Sequence, residues 1–396
     1  MRVCLASLHP RVLSGQIDSL TGLGRALVRR GTEVTLVAPF DTGALLNGAL
    51  AELDTGPTRL LPAARQMLGA IPRVVQASRG CDLVHLALPT PAFGWLGNVV
   101  QARVAAPVLV GFEGHLVDTR ELFKARRRSR AWRSLLILWA VNNRLFGRLR
   151  PYRCRAYVVS SHYQRDELIA LGAPVDRVVV LPNMVEESKL AGCAPRVARR
   201  CLGLQDGVPV VGYVGHFNDG KGVDVLAAAF RALSERLPSA TLALAWSGQG
   251  DPRPIQQRLA GLEARVTWLR KVHVGTFLSA IDVLALPYRS TAGQAAFPSL
   301  LLEALHARRS LVTTDLPLLR EVTSLGPVAL NCPPERPDLL AERLELLLRS
   351  EEQRRAMSEA QGWVVQTHFA SQALVQRYEQ LYTSMLEVND VARLAA

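Results

Sequence analysis

Two stretches carry residue types suited to gripping a phosphorylated, hydroxylated ligand. The first is Gly215-His216-Phe217-Asn218-Asp219-Gly220-Lys221-Gly222. A glycine-rich turn exposes backbone N–H groups, Lys221 supplies a point charge suited to a diphosphate, and His216 adds a base whose charge depends on pH. It is not a Walker loop, because no GxxxxGK followed by Ser or Thr occurs. The second stretch is Pro298-Ser299-Leu300-Leu301-Leu302-Glu303. Pro298 suits the first position of a helix, where its missing N–H costs nothing. The free N–H groups of that helix start can hold a phosphate, and Glu303 can accept hydrogen bonds from hydroxyls. Ser299 and Glu303 share a helix face, while Leu300, Leu301, Ala304 and Leu305 supply a stripe for burial. An isolated helix Glu is ordinarily a solvated carboxylate. What raises Glu303 above that is convergence: Lys221, the small loop around Gly248, Pro298-Ser299 and Glu303 all follow strands of one sheet and gather on one rim. Sugar nucleotides need both a phosphate grip and acceptors for hydroxyls.

The first half offers weaker candidates at strand ends. Ser14-Gly15 could let backbone approach a phosphate or sugar, or could be plain turn chemistry. Glu113 and His115 follow an apolar strand ending at Phe112 and offer an acid and an imidazole for proton transfer, or are solvated loop residues. Ser160-Ser161 reads as a helix cap.

Positioning these residues requires alternating strands and helices. Arg2–Ala6 and Thr32–Ala38 read as strands around a helix with apolar positions at Ile17, Leu20, Leu23, Leu27 and Val28. Further strands are expected at 83–88, 108–112, 156–160 and 178–181. In the second half they fall at 208–214, 241–246, 266–269, 282–287 and 311–315. From Pro337 to about Leu386 the chain reads as helical. The pattern predicts an α/β protein with Rossmann-like parallel sheets.

A chain of 396 residues is long for one domain and comfortable as two. The expected division is 1–190, 205–365 and a final helical segment, 366–396. Six scattered cysteines without a CxxC motif suggest buried free thiols in a reducing compartment. Met1 runs directly into a strand, and the longest apolar run, Leu135 to Val141, is far below the roughly 20 residues a spanning helix needs. The expected location is cytoplasmic.

The net charge of +13 is concentrated: between Arg120 and Arg155 stand twelve Lys/Arg against the single acid Glu121, or +11 of the +13. Taken as a helix, Trp132, Leu135, Leu136 and Trp139 share one face and Arg126, Arg130 and Arg133 the other, the pattern of an interfacial helix on anionic lipid. Arg126, Arg127, Arg130, Trp132, Arg133 and Trp139 are the expected membrane-surface residues. Ile137 and Val141 fall on the basic face, so an ordinary packed helix remains open. Nucleic acid is not expected, because no aromatic-interleaved platform accompanies the charge.

Several of these motifs resemble one family. Gly212-Tyr-Val-Gly215, Gly220-Lys221-Gly222-Val-Asp-Val-Leu226, Ile281-Asp282-Val-Leu-Ala-Leu-Pro287, Leu302-Glu303-Ala304-Leu305 and Thr314-Asp315 through Leu319-Arg320-Glu321 are similar to those of retaining glycosyltransferases of the GT-B fold, glycosyltransferase family 4 (glycosyl transferases group 1). In the first half Arg30-Gly31-Thr-Glu-Val-Thr35, Cys81-Asp82-Leu-Val-His85 and Leu181-Pro182-Asn183 join them. The resemblance implies two Rossmann-like domains facing each other across a cleft, the second holding a nucleotide-diphosphate sugar as co-substrate. It implies transfer of a hexose-type sugar with retention to a hydroxyl acceptor, either a glycan or a lipid-linked one at the membrane surface.

By that resemblance Lys221 holds the donor diphosphate, with His216 where an Arg is usual, and Glu303 binds the ribose hydroxyls. Lys271 and Val272 match the nucleobase contact, Ser14-Gly15 a loop that usually has two glycines, and Phe297 to Leu300 the start of the donor helix. Glu113 stands where a His is common, with His115 two residues later. The first Glu of the family's pair falls at Ala295, so either Gln294 substitutes as sugar partner, the donor is unusual, or activity is lost. The alternative is a weakened family member acting as a binding or scaffold protein. No Asp-X-Asp occurs, so neither metal nor other cofactor is expected.

Overall fold

The computed structural model describes residues 1–8, 15–37, 60–112, 114, 152–291 and 298–387. These residues divide into two compact units: one runs to Glu186 and resumes at Ala370, and the other spans Glu187 to Phe369.

The first unit follows strand β1 (Arg2–Ser7) with helix α1 (Gly15–Arg29), β2 (Glu33–Val37), α2 (Leu60–Ala77), β3 (Leu83–Leu88), α3 (Gly94–Gln101), β4 (Val108–Phe112), β5 (Ala156–Val159), α4 (His162–Ala170) and β6 (Val178–Val180). All pairings are parallel, in the order β2-β1-β3-β4-β5-β6. Strands β3, β4 and β5 are buried along their whole length, which explains why they read as continuous apolar runs rather than alternating ones. One sheet face packs on α1 and on the last helix among the described residues, Ser371–Leu386, whose Val375, Tyr378, Leu381, Tyr382 and Met385 join Leu5, Leu23, Leu27 and Leu109 in one core. The other face packs Ala70, Ile71 and Val74 of α2 and Leu96 and Val100 of α3 against Val84, Leu86 and Val110.

Serines at the end of β5 do what a cap requires. Ser161 accepts the N–H of Gln164 at 3.1 Å, starting α4. The fully buried Gln164 then donates to the carbonyls of Phe112 and Gly114, tying α4 to the end of β4.

The second unit holds α5 (Pro195–Cys201), β7 (Val210–Phe217), α6 (Val223–Arg236), β8 (Thr241–Gly250), α7 (Arg253–Arg258), β9 (Val266–Arg270), α8 (Val274–Ala280), β10 (Val283–Leu286), α9 (Ser299–His306), β11 (Ser310–Thr314), α10 (Pro317–Thr323), β12 (Leu330–Cys332), α11 (Pro337–Arg349) and α12 (Glu351–Val364). Its parallel sheet has the order β12-β11-β10-β7-β8-β9. The chain starts in the middle and builds outward first to one side and then to the other. The direction reverses between β7 and β10, which pair through Val211↔Val283 and Gly212↔Leu284. Open α/β sheets bind ligands beyond the carboxyl ends of the strands at such a reversal.

Some expectations need correction. The apolar stripe of α9 is Leu301, Leu302, Ala304 and Leu305, whereas Leu300 is half-buried; Pro298 precedes the helix as its N-cap rather than opening it. Ser247–Gly250 continues β8 instead of forming a free loop, with Gly250 paired to Phe217 past an irregularity in β7. All six cysteines are free, but Cys193 and Cys201 are exposed rather than buried. The segment Arg126–Trp139 lies outside the described residues.

Candidate functional site

The end of β7 is shaped by Tyr213, whose buried phenol donates to the carbonyl of His216 at 2.7 Å. Gly215, at φ +145°, passes close to that phenol, its missing Cβ 3.1 Å from the oxygen. His216 then projects with Nδ1 2.5 Å from the Ser247 hydroxyl on β8, a contact that fixes its ring plane. The chain next makes a short turn, Asp219–Lys221, and enters α6 through Gly222 at φ +64°. A Cβ on Gly222 would stand 1.9 Å from the carbonyl oxygen of Pro287, so the turn and the end of β10 can be this close only with glycine there.

Beyond β10 comes Tyr288, 3% exposed. Its carbonyl accepts the Thr314 hydroxyl at 2.7 Å, which pins it to β11. The Lys221 ammonium lies 4.5 Å from the centre of the Tyr288 ring, a cation–π contact across the β7–β10 reversal. Burial lowers the Lys221 pKa to about 8, so it remains mainly charged at neutral pH while lacking a full water shell. Burial also raises the Tyr288 phenol above its ordinary value, and the Glu303 carboxylate adds to that rise. Lys221, from the turn after β7, thus contacts the same side chain whose phenol the Glu303 carboxylate of α9 biases electrostatically. Sequence reasoning passed over Tyr288 as the start of a loop; its signal was an aromatic placed directly after a strand-ending Pro.

Other sequence candidates are distributed differently. Pro298 is buried and Ser299 half-buried at the start of α9. Gly248 is exposed at φ +91° in the extended tail of β8 rather than in a separate loop. Lys271 is exposed and Val272 half-buried between β9 and α8. Gly15 opens α1 in the first unit. Ser14, Glu113, His115, Gln294, Ala295 and Phe297 lie outside the described residues.

The first unit has a cavity of its own, of about 50 Å³, lined by Ser19, His85, Gly111, Ser160, Asn183 and Tyr378 among others. His85 Nδ1 is 2.7 Å from the Tyr382 hydroxyl, and the ring stacks on Tyr378 at 5.9 Å. Burial lowers its pKa to about 4, so it is neutral.

Two family models match in succession along the chain: Glycosyltransferase Family 4 over residues 14–189, and Glycosyl transferases group 1 over residues 208–350. The chain is built from the two domains of a GT-B glycosyltransferase. Among its relatives is the phosphatidyl-myo-inositol mannosyltransferase of Mycobacterium tuberculosis H37Rv, 28% identical over 370 residues, covering 87% of this chain and 85% of that one. The enzyme of the same name from Mycolicibacterium smegmatis is 29% identical over 219 residues, a match spanning 52% of either chain. Solved GT-B structures share the fold: a Rickettsia africae glycosyltransferase (TM-score 0.73, 14% identity, 98% of this chain and 99% of that one) and Anabaena HepE in complex with UDP and glucose (TM-score 0.72, 18% identity, 97% and 100%).

Proposed function

We propose that this GT-B protein moves a hexosyl group from a nucleotide-diphosphate sugar to a hydroxyl acceptor, with retention and without a metal. The observation that carries the reading is the Lys221 ammonium over the Tyr288 ring, 4.5 Å from its centre, at the strand reversal of the second unit, with the Glu303 carboxylate helping to raise that phenol. In this reading Lys221 and the start of α9 take the diphosphate, and Glu303 takes the ribose hydroxyls. As the bond from the anomeric carbon to the diphosphate breaks, negative charge grows on the leaving oxygen. A desolvated ammonium already in place stabilises that charge without reorganisation. His216, when protonated, adds to it. The acceptor oxygen forms the new bond on the face the diphosphate leaves and passes its proton to the departing diphosphate oxygen. Gln294, Phe297, Glu113 and His115 belong to the proposal as sugar-side and acceptor-side groups. Metal independence rests on the absence of Asp-X-Asp and on these built-in cations.

The names of the relatives support a mannosyl donor and an inositol-lipid acceptor. The basic, Trp-bearing segment 120–155 supports docking on an anionic membrane. Among the described residues no helix is long and apolar enough to cross one. The scaffold alternative drawn from Ala295 is not favoured.

The test is direct. Purified protein is incubated with GDP-mannose, UDP-glucose or dTDP-glucose and phosphatidylinositol vesicles, and release of nucleoside diphosphate is followed. Turnover of one donor that depends on Lys221 supports the reading, and no binding of any of the three to the folded protein overturns it.

A further inference from the structure

We infer that Arg289 is a positioning residue for the diphosphate site, holding the Asn218–Gly222 turn so that Lys221 faces the ligand; the inference rests on the donor reading above. Arg289 directly follows Tyr288, and its side chain is only 12% exposed. Its backbone N–H donates to the Gly220 carbonyl at 3.0 Å. Nη1 donates to the Asp219 carbonyl at 2.8 Å and to the Asp219 carboxylate at 3.1 Å. Nη2 donates to Asp224, in the first turn of α6, at 2.6 Å, and Nε to Glu335 at 3.3 Å. One guanidinium thus ties both ends of the Lys221 turn to the segment after β12.

Two features separate this cluster from an ordinary surface ion pair. Glu335 reaches Arg289 from a left-handed backbone, φ +62°, which a non-glycine residue adopts at a cost. Three carboxylates also converge on one cation beside a proposed anion site. Arg258, 3.9 Å from Asp224, adds a second cation at the edge of the cluster. Arg289 cancels repulsion that would otherwise act on the incoming diphosphate. A Lys in its place would keep the charge but lose the planar fork that reaches three partners at once.

The groups around Lys221 make the role measurable. Tyr288 lies beneath its ammonium; burial raises that phenol and the Glu303 carboxylate adds to the rise, while Tyr288 in turn adds to the upward shift of the buried Tyr213 phenol. A turn released from Arg289 lets Lys221 hydrate. The pH above which diphosphate affinity falls then rises from near 8 toward the free-lysine value of roughly 10.4.

The experiment titrates UDP and GDP calorimetrically into wild type, Arg289→Ala, Arg289→Lys, Glu335→Gln and Lys221→Ala from pH 7 to 10, with melting temperatures recorded. Expected are at least tenfold weaker binding for Arg289→Ala, an intermediate loss for Arg289→Lys, a two- to threefold loss for Glu335→Gln, and an upward shift of the pH midpoint in Arg289→Ala. Arg199→Lys is the structural control. Arg199 bonds the Asp282 carboxylate and the Ala280 carbonyl at the other end of β10, so its variant should lower the melting temperature alone. Folded Arg289→Ala with wild-type affinity, or with weaker affinity but an unmoved midpoint, overturns the inference. If Arg289→Ala does not fold, unchanged affinity in Glu335→Gln does so. Loss of binding in Lys221→Ala alone keeps the donor reading and rejects this one, whereas absence of binding in wild type rejects both.

Discussion

Each unit buries a nitrogen base against tyrosine, and the outcomes are opposite. In the second unit Lys221 sits over the face of Tyr288 and burial brings its pKa to about 8. In the first, His85 bonds the Tyr382 hydroxyl, stacks on Tyr378 and falls to about 4. The same penalty for removing water leaves a lysine charged at pH 7 because it starts so high, and leaves a histidine neutral because it starts near neutrality. An aromatic face accepts a cation, while a hydroxyl accepts a neutral ring equally well. Desolvation alone therefore does not make a binding site. The chemistry of the buried group decides whether an anion is awaited or a core is completed.

The largest test of this contrast is Gly222→Ala. The new methyl meets the Pro287 carbonyl, so the turn must open and separate Lys221 from Tyr288. Binding of nucleoside diphosphate should disappear, with a stability loss of about 3 kcal/mol or more in chemical denaturation. Next, Lys221→Ala should lower turnover about 100-fold and leave the melting temperature almost unmoved. A fall in stability with intact turnover would make Lys221 a core residue like His85.

The His85 side of the comparison breaks differently. Its folded pKa lies below the unfolded one, so the unfolded chain binds the extra proton between pH 6.5 and 4. Stability is full above pH 6.5 and drops through that window by about 3 kcal/mol. In His85→Gln the drop should flatten, as read by melting temperature against pH, while diphosphate binding by the second unit stays put. The smallest effect is expected from Ser247→Ala, which removes the hydroxyl beside His216 Nδ1. A roughly threefold loss of kcat/KM should appear.

Much of the fold was legible because buried parallel strands are unbroken apolar runs, as in Leu83–Leu88 and Val283–Leu286. Helices that mix signals were missed. Leu60–Ala77 contains Pro72, and Gly94–Gln101 contains Gly97, where a Cβ would meet Val110 at 2.7 Å; both residues read as breakers in one dimension and serve the helix or its packing in three. At the candidate site Lys221 and Glu303 could be singled out by type and spacing. Arg289 could not, since its acidic partners stand 46 to 70 residues away and nothing local pairs them. The tail of β8 was misread because Ser247-Gly-Gln-Gly favours a loop, whereas pairing of Gly250 with Phe217 keeps it in the sheet.

The helix Ser371–Leu386 supplies five side chains to a core that otherwise comes from Met1–Glu186. During synthesis the amino-terminal unit must therefore wait, its sheet face uncovered, while the later-made unit closes first. A truncation ahead of Ser371 would strike the region translated earliest, and a chaperone would meet that open face before the later helix covers it.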